Sequence, residues 1–289
     1  MTPIRLNGAI AALTAGRPVY STFVTGEPNA LLHKLRTPYD VAVFDTEHQP
    51  LDLPAVREGL LHLLDRRKIL EGGTLAPSVT PFVRLAANGG EHNQYLAKQA
   101  LDLGAYGLIW PHVSTVDEAW NAVSASRYPR PPGTERHDPP GVRGFGPARA
   151  ARYWGLDISA YRERADVWPL APEGEIAVVL MCEERRAIDS LPDILERVPG
   201  IAAVLLGTGD LALDLGHLDT GHPDVVAATD EVLAICQAAD VACGVPGVTR
   251  ANVGHYLERG FRWLLTGYFG ADDAVAAGRA LDGGPGASA

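Results

Sequence analysis

Short apolar runs alternate along the chain with longer segments of helical period. Eight runs read as strands: Val19–Val24, Val41–Asp45, Pro81–Leu85, Tyr106–Pro111, Ala177–Glu183, Ala202–Gly207, Val241–Pro246 and Trp263–Tyr268. Their near-continuous hydrophobicity predicts parallel strands covered on both faces. Between them, Leu53–Leu64, Asn93–Leu103, Thr115–Ser126, Arg185–Val198, Pro223–Ala239 and Arg250–Arg259 read as helices. Thr115 with Glu118, and Thr249 with Asn252, predict helix N-termini, and Gly104 and Gly260 stand where helices are expected to stop. Eight strands alternating with helices over about 250 residues predict an α/β fold, a single-domain (β/α)8 TIM barrel. It is expected to span residues 1–280, with 281–289, "LDGGPGASA", as a disordered tail. The rival is a doubly wound open sheet. That fold would carry a Gly-rich phosphate turn after its first strand, and the turn here reads "TGEPNA".

One connection breaks the rhythm. Residues 128–174 are rich in Pro, Gly and Arg, with Tyr and Trp interspersed. Long ordered loops are usually functional, and this one follows the fourth strand, so it is expected over the catalytic face. The other reading is a solvated insertion.

Composition narrows the class. The chain has 289 residues, 46% hydrophobic and 21% charged, as in a soluble globular enzyme. No apolar run is long enough to span a bilayer, and without a basic region leading into an apolar core near residue 1, no signal peptide is expected. A net charge of −10 without a basic stripe argues against nucleic acid. Cys182, Cys236 and Cys243 lack metal or disulfide spacing, so they read as buried small hydrophobes of a cytoplasmic protein.

In such a barrel the active site is built at the C-terminal ends of the strands. Strand by strand, those ends supply Asp45, Glu47 and His48; Arg84 and Asn88; His112; Glu183 and Glu184; Thr208 and Asp210. Glu183 and Asp210 fall at the ends of adjacent strands, where two carboxylates repel unless protonated or bridged by a cation. Oxygen ligands of this kind suit Mg²⁺ or Mn²⁺. The alternative is that each complements a helix N-terminus. Arg84 leaves an apolar strand where it can bind an anionic oxygen, or can form an ion pair with Asp45 or Glu47. His48 is a candidate general base oriented by Asp45 or Glu47. The three lysines, Lys34, Lys68 and Lys98, all fall outside the strands. Schiff-base chemistry therefore has no candidate, and carbanion chemistry here requires a metal.

The set "FDTEH", "PFVRL", "LDLGAYGLIWPHVSTVDEA", "GVRGFGPARAARY", the segment from Glu183 and "GTGDLALDLG" resembles the HpcH/HpaI family of metal-dependent pyruvate aldolases over roughly residues 17–270. "GVRGFGP" is most similar to the branch with 4-hydroxy-2-oxoheptanedioate aldolase and macrophomate synthase. The resemblance implies a class II carbon–carbon lyase that cleaves or forms 4-hydroxy-2-oxo acids through a metal-stabilised pyruvate enolate. It implies Glu183 and Asp210 as metal ligands and Arg84 at the enolate oxygen. It implies His48 with Asp45 as the proton-transfer pair, and the backbone N–H groups of Gly209 and Asp210, beside Thr208, at the substrate carboxylate. The cation would be Mg²⁺ or Mn²⁺, with Co²⁺ or Zn²⁺ as substitutes. The partners would be a 2-oxo acid and an aldehyde or other acceptor, with the Arg-rich "ARAARY" segment helping to select the acceptor. A hexamer, a trimer of dimers exchanging C-terminal helices, is also implied.

The chain departs from that pattern. Met181 stands two residues before Glu183, where the family carries Gln, and Thr208 replaces the Pro of "GPxDL". An apolar side chain next to the ligands bears on metal tuning. Two alternatives follow: an oxaloacetate-decarboxylating or enolate-transferring synthase, and a non-catalytic binding protein for 2-oxo acids.

Overall fold

The computed structural model describes residues 4–27, 31–32, 37, 39–86, 88–267 and 271–282. Nine parallel strands are present among them: β1 (Val19–Val24), β2 (Val41–Asp45), β3 (Thr80–Arg84), β4 (Gly107–Trp110), β5 (Val167–Trp168), β6 (Ile176–Cys182), β7 (Ile201–Leu206), β8 (Ala242–Val245) and β9 (Trp263–Leu265). Eight of them close into a barrel. β1 pairs with β9 at one seam and β4 with β6 at another, while the two-residue β5 only flanks β6. This is the expected (β/α)8 barrel with one extra short strand. The expected last strand ends earlier, at Leu265, and Tyr268 lies outside the described residues.

The strands are apolar because both faces are covered. Every residue of β1, β2, β3, β4, β6 and β7 is buried. Inside the barrel Phe82 meets Trp263 with ring centroids 5.6 Å apart, and the indole N–H donates to Ser21 Oγ at 2.8 Å. These rings fit because neighbouring strands carry glycine. A Cβ at Gly107 would collide with the Phe82 ring, and one at Gly244 would press on Leu205 and Trp263.

Helices return the chain between strands. Thr115 and Glu118 form the expected reciprocal cap, and Gly104 and Gly260 close their helices with positive φ of 118° and 95°. Lys68 and Lys98 are helical, and Lys34 lies outside the described residues. All three cysteines are buried and unpaired by disulfide. The last helix, Asp272–Asp282, packs on its own barrel, with Arg279 Nη2 2.7 Å from Asp40 Oδ2. It includes the first two residues of the expected tail, while 283–289 lie outside the described residues.

The long connection corrects an expectation. It is not a loop over the catalytic face. It contains helices Ala148–Trp154 and Ile158–Arg164 and strand β5, and it follows the helix Val116–Ala125, which has already carried the chain away from the strand C-termini. It therefore packs at the N-terminal end and outer side of the barrel. Trp154 stacks on Tyr106, just before β4, with centroids 4.2 Å apart, and donates its N–H to Gly104 O at 2.9 Å. Asn7 lies at the same end, wholly buried, donating to Tyr106 O at 2.9 Å and Glu175 O at 3.0 Å. Arg143 is buried against Asp102 and Tyr161, whereas Arg149 and Arg152 of "ARAARY" are exposed.

Arg127 anchors this cap. It is fully buried, donates from Nε to Asp166 Oδ1 at 2.6 Å and from Nη2 to Oδ2 at 3.0 Å, and also reaches Pro139 O at 2.8 Å and Arg136 O at 2.9 Å. Burial alone would raise the Asp166 carboxyl, but Arg127 and Arg130 together hold it below its ordinary range. Replacing Arg127 with Met leaves a buried carboxylate without its main partner and is expected to cost about 3–5 kcal/mol in urea unfolding at pH 7. Arg152→Ala, at an exposed position, is expected within about 0.5 kcal/mol of the parent. Equal stabilities for the two variants would remove Arg127 as the anchor.

Candidate active site

Strand register assembles the first half of the site. Asp45 ends β2, Arg84 ends β3, and the two are paired across the ladder. Arg84 donates from Nε to Asp45 Oδ1 and from Nη2 to Asp45 Oδ2, both at 2.7 Å, with each residue 5% exposed. Its Nη1 lies 2.9 Å from Glu47 Oε2, and its guanidinium sits 4.3 Å above the centre of the Phe23 ring. The ion pairs considered for Arg84 are thus present, with both carboxylates. They fix the plane of the guanidinium at the rim. Glu47 is raised above its ordinary carboxyl value, because burial outweighs the attraction of Arg84.

His48 stands further out. Its side chain is 58% exposed, and Nε2 is 3.6 Å from Glu47 Oε2. That separation is an ionic contact, too long for a hydrogen bond. Asp45 is committed to Arg84, so Glu47 is the carboxylate that bridges Arg84 and His48.

The second half lies across the barrel mouth. Glu183 is the first residue beyond β6 and is 1% exposed. Its carboxylate lies over Gly207, the residue after β7, where any Cβ would collide with it. Glycine at 207 is therefore a packing requirement of the site. Glu183 Oε2 accepts the His112 backbone N–H at 2.8 Å. Burial raises the Glu183 carboxyl to about 7, Glu47 and Asp210 add repulsion, and the His112 hydrogen bond and ring charge oppose them. Asp210 is the third residue of the helix Thr208–Asp214. The N–H groups of Thr208, Gly209 and Asp210 belong to its first turn, which has no preceding helical carbonyls to accept them. Met181 is buried in β6 and paired with Leu205.

The strand-end inventory includes His112 and Glu184 but leaves both without a role. His112 has a positive φ of 47°, unusual for a residue with a side chain. Its Nδ1 is 3.0 Å from Glu184 Oε1, and Glu184 Oε2 accepts the Ser114 hydroxyl at 3.1 Å. Burial lowers the His112 imidazole, but Glu183, Glu184 and Asp210 together raise it. One atom each from His112, Glu183 and Asp210 lies within 4.8 Å of the others. "WPH" at the end of one strand and the Glu–Glu pair at the end of the next were the available signals, and they meet only because β4 and β6 are neighbours.

A buried carboxylate raised to about 7, with the half-buried Asp210 repelling it, fits a divalent cation, which would neutralise them. The HpcH/HpaI aldolase/citrate lyase family model matches residues 20–272. The chain belongs to the HpcH/HpaI aldolase/citrate lyase family. It is 33% identical to a hydroxypyruvate/pyruvate aldolase of Roseovarius nubinhibens, covering 79% of this chain and 77% of that protein. It is 34% identical to a 2-keto-3-deoxy-L-rhamnonate aldolase of Klebsiella pneumoniae, covering 79% and 74%. A family crystal structure from Burkholderia cenocepacia superposes with a TM-score of 0.70 at 30% identity, covering 88% of this chain and 89% of that one. The segment matched by the family model contains Asp45, Arg84, Glu183 and Asp210.

The raised Glu183 carboxyl has a consequence for stability. The folded, metal-free protein binds this proton more tightly than the unfolded chain does. Its contribution is therefore fully present below about 4.5 and is lost as pH rises through about 7. Glu183→Gln removes the penalty of a buried charge. With EDTA present at pH 8, its melting temperature is expected to exceed the parent's, and at pH 4.5 the gap is expected to close. Adding Mn²⁺ is expected to raise the parent's melting temperature but not the variant's. A variant that melts below the parent at pH 8 without metal would contradict this account of Glu183.

Proposed function

We propose that the chain is a metal-dependent carbon–carbon lyase that cleaves or forms 4-hydroxy-2-oxo acids by way of the pyruvate enolate. The observation that carries this reading is the meeting of Glu183, Asp210, Arg84 and His48 at one rim of the barrel, from four different strand ends. Glu183 and Asp210 would hold a divalent cation, Mg²⁺ or Mn²⁺ in this reading, which would supply Lewis acidity to the 2-oxo group.

The chain's own residues do the rest. Arg84, locked by Asp45, offsets negative charge developing on the C2 oxygen without reorganising. The first-turn N–H groups of Gly209 and Asp210 take the substrate carboxylate, beside Thr208. His48 holds or releases the proton at Nε2, with Glu47 beside it. In the cleavage direction the C4 hydroxyl proton passes to His48 and the C3–C4 bond breaks. The aldehyde leaves, and a proton returned to C3 completes pyruvate. Asp45 acts through Arg84 in this scheme rather than by polarising His48.

Met181 favours a second reading. An apolar residue at this position changes the surroundings of Glu183, and it accords with an enolate-transferring or oxaloacetate-decarboxylating synthase. A non-catalytic 2-oxo acid binding protein would keep the pocket and lose turnover. The wider reading includes a cytoplasmic homo-oligomer, a hexamer of the trimer-of-dimers type, to be read by sedimentation; exchange of C-terminal helices between subunits would require Asp272–Asp282 to leave the barrel on which it packs here. No helix among the described residues is long and apolar enough to cross a membrane.

The deciding test is proton NMR of pyruvate in D₂O. Loss of the methyl signal with Mg²⁺ or Mn²⁺, stopped by EDTA, is the expected result. No exchange in either condition would reject pyruvate as the nucleophile. His48→Ala is expected to slow aldol cleavage by about 10²–10⁴-fold while leaving metal affinity intact. An unimpaired His48→Ala protein would remove His48 as the base.

A further inference from the structure

We propose that His112 is a third protein ligand of the cation site, which makes it a His/Glu/Asp centre rather than a two-carboxylate one. The inference rests on the metal reading of Glu183 and Asp210 given above and extends it.

The hydrogen bonding around the ring sets the tautomer. Nδ1 lies 3.0 Å from Glu184 Oε1, and Glu184 Oε2 accepts the Ser114 hydroxyl at 3.1 Å. An ionised carboxylate only accepts, so Nδ1 carries the hydrogen, and the neutral ring then keeps its lone pair on Nε2. A carboxylate on one nitrogen and a cation on the other is the recurrent arrangement of metal-bound histidines.

The opposite nitrogen faces the anionic group. Nε2 is 3.8 Å from Glu183 Oε2, and His112, Glu183 and Asp210 each offer a donor atom within 4.8 Å of the others. At 3.8 Å the pair is too far apart to share a proton in a hydrogen bond. Two donors that each sit about 2.1 Å from one cation can be up to about 4.2 Å apart, so the observed gap accommodates a shared ion. The backbone is committed to the same geometry. His112 adopts φ of 47°, and its own N–H holds Glu183 Oε2 at 2.8 Å. One residue thus orients a carboxylate ligand with its main chain and presents a nitrogen donor with its side chain.

A nitrogen donor changes which cation the site favours. Mg²⁺ prefers oxygen, whereas imidazole suits Co²⁺ and Zn²⁺ and is accepted by Mn²⁺. The competing account is a protonated His112 that merely bridges Glu183 and Glu184 as an ion pair, with no bond to the metal.

Pulsed EPR of the full-length protein loaded with Mn²⁺ separates the two accounts without any substitution. With ¹⁵N-histidine incorporated, a directly bonded nitrogen coupling is expected in the parent, and its absence would overturn the proposal. His112→Ala is expected to abolish that coupling. In calorimetric titrations the same change is expected to weaken Co²⁺ and Zn²⁺ by ~100-fold or more and Mg²⁺ by less than ~10-fold. Glu184→Gln keeps an acceptor for Nδ1 and tests the same geometry if His112→Ala does not fold. Its Co²⁺ affinity is expected to fall ~10–100-fold. Equal losses for Mg²⁺ and Co²⁺ in His112→Ala would reduce His112 to a positioning residue and reject the ligand. If Mn²⁺ binds the parent without nitrogen coupling, the two-carboxylate reading stands and this one falls. If Mn²⁺ does not bind the parent at all, both fall together.

Discussion

Parallel closure is the constraint on which the rest of this molecule depends. Because β1–β4 and β6–β9 all run the same way, their C-terminal ends emerge at one rim, and the ladder register decides which side chains become neighbours. The Asp45–Arg84 pairing is a direct consequence. So is the placement of Glu183 over Gly207, since Cys182 and Leu206, the residues before them, are partners across β6 and β7. A slip of one residue in either ladder would turn these groups to the wrong face.

The rim that results is electrostatically uneven. Asp45 and Glu47 share one guanidinium, while Glu183, Glu184 and Asp210 crowd around a single imidazole. The first group is the less negative of the two and is held rigid by its ion pairs, suited to orienting substrate. The second carries an excess of negative charge that the burial of Glu183 makes costly, which is the physical ground for the cation proposed there. Stability is supplied elsewhere. At the opposite end Asn7, Arg127 and the Trp154–Tyr106 stack seal the barrel, and there the buried Arg127 and Asp166 are paired with each other. The strained, repelling chemistry and the stabilising cap occupy opposite faces of one scaffold.

Most of the architecture was legible in the chain. Buried strands read as apolar runs because both of their faces are covered, and the capping residues Thr115, Gly104 and Gly260 act locally, within one turn. The failure at residues 128–174 was one of direction. The helix Val116–Ala125 separates that segment from β4, and a helix of this length carries the chain from one rim to the other before the insertion begins. Tyr106, Trp154 and Tyr161 then fold it inward as an aromatic cluster, a long-range contact that leaves no periodic signature.

What the sequence by itself determined is the kind of barrel and the residue types at each strand end, because hydrophobic period and strand termination are local properties of the chain. What only the tertiary structure decided is who partners whom. Asp45 lies against Arg84 rather than His48, Glu47 bridges to His48, and His112 turns between Glu183 and Glu184. Those choices depend on register, on the β4–β6 seam and on a left-handed backbone at His112, and each joins residues 39 or more positions apart, except the adjacent Glu47 and His48.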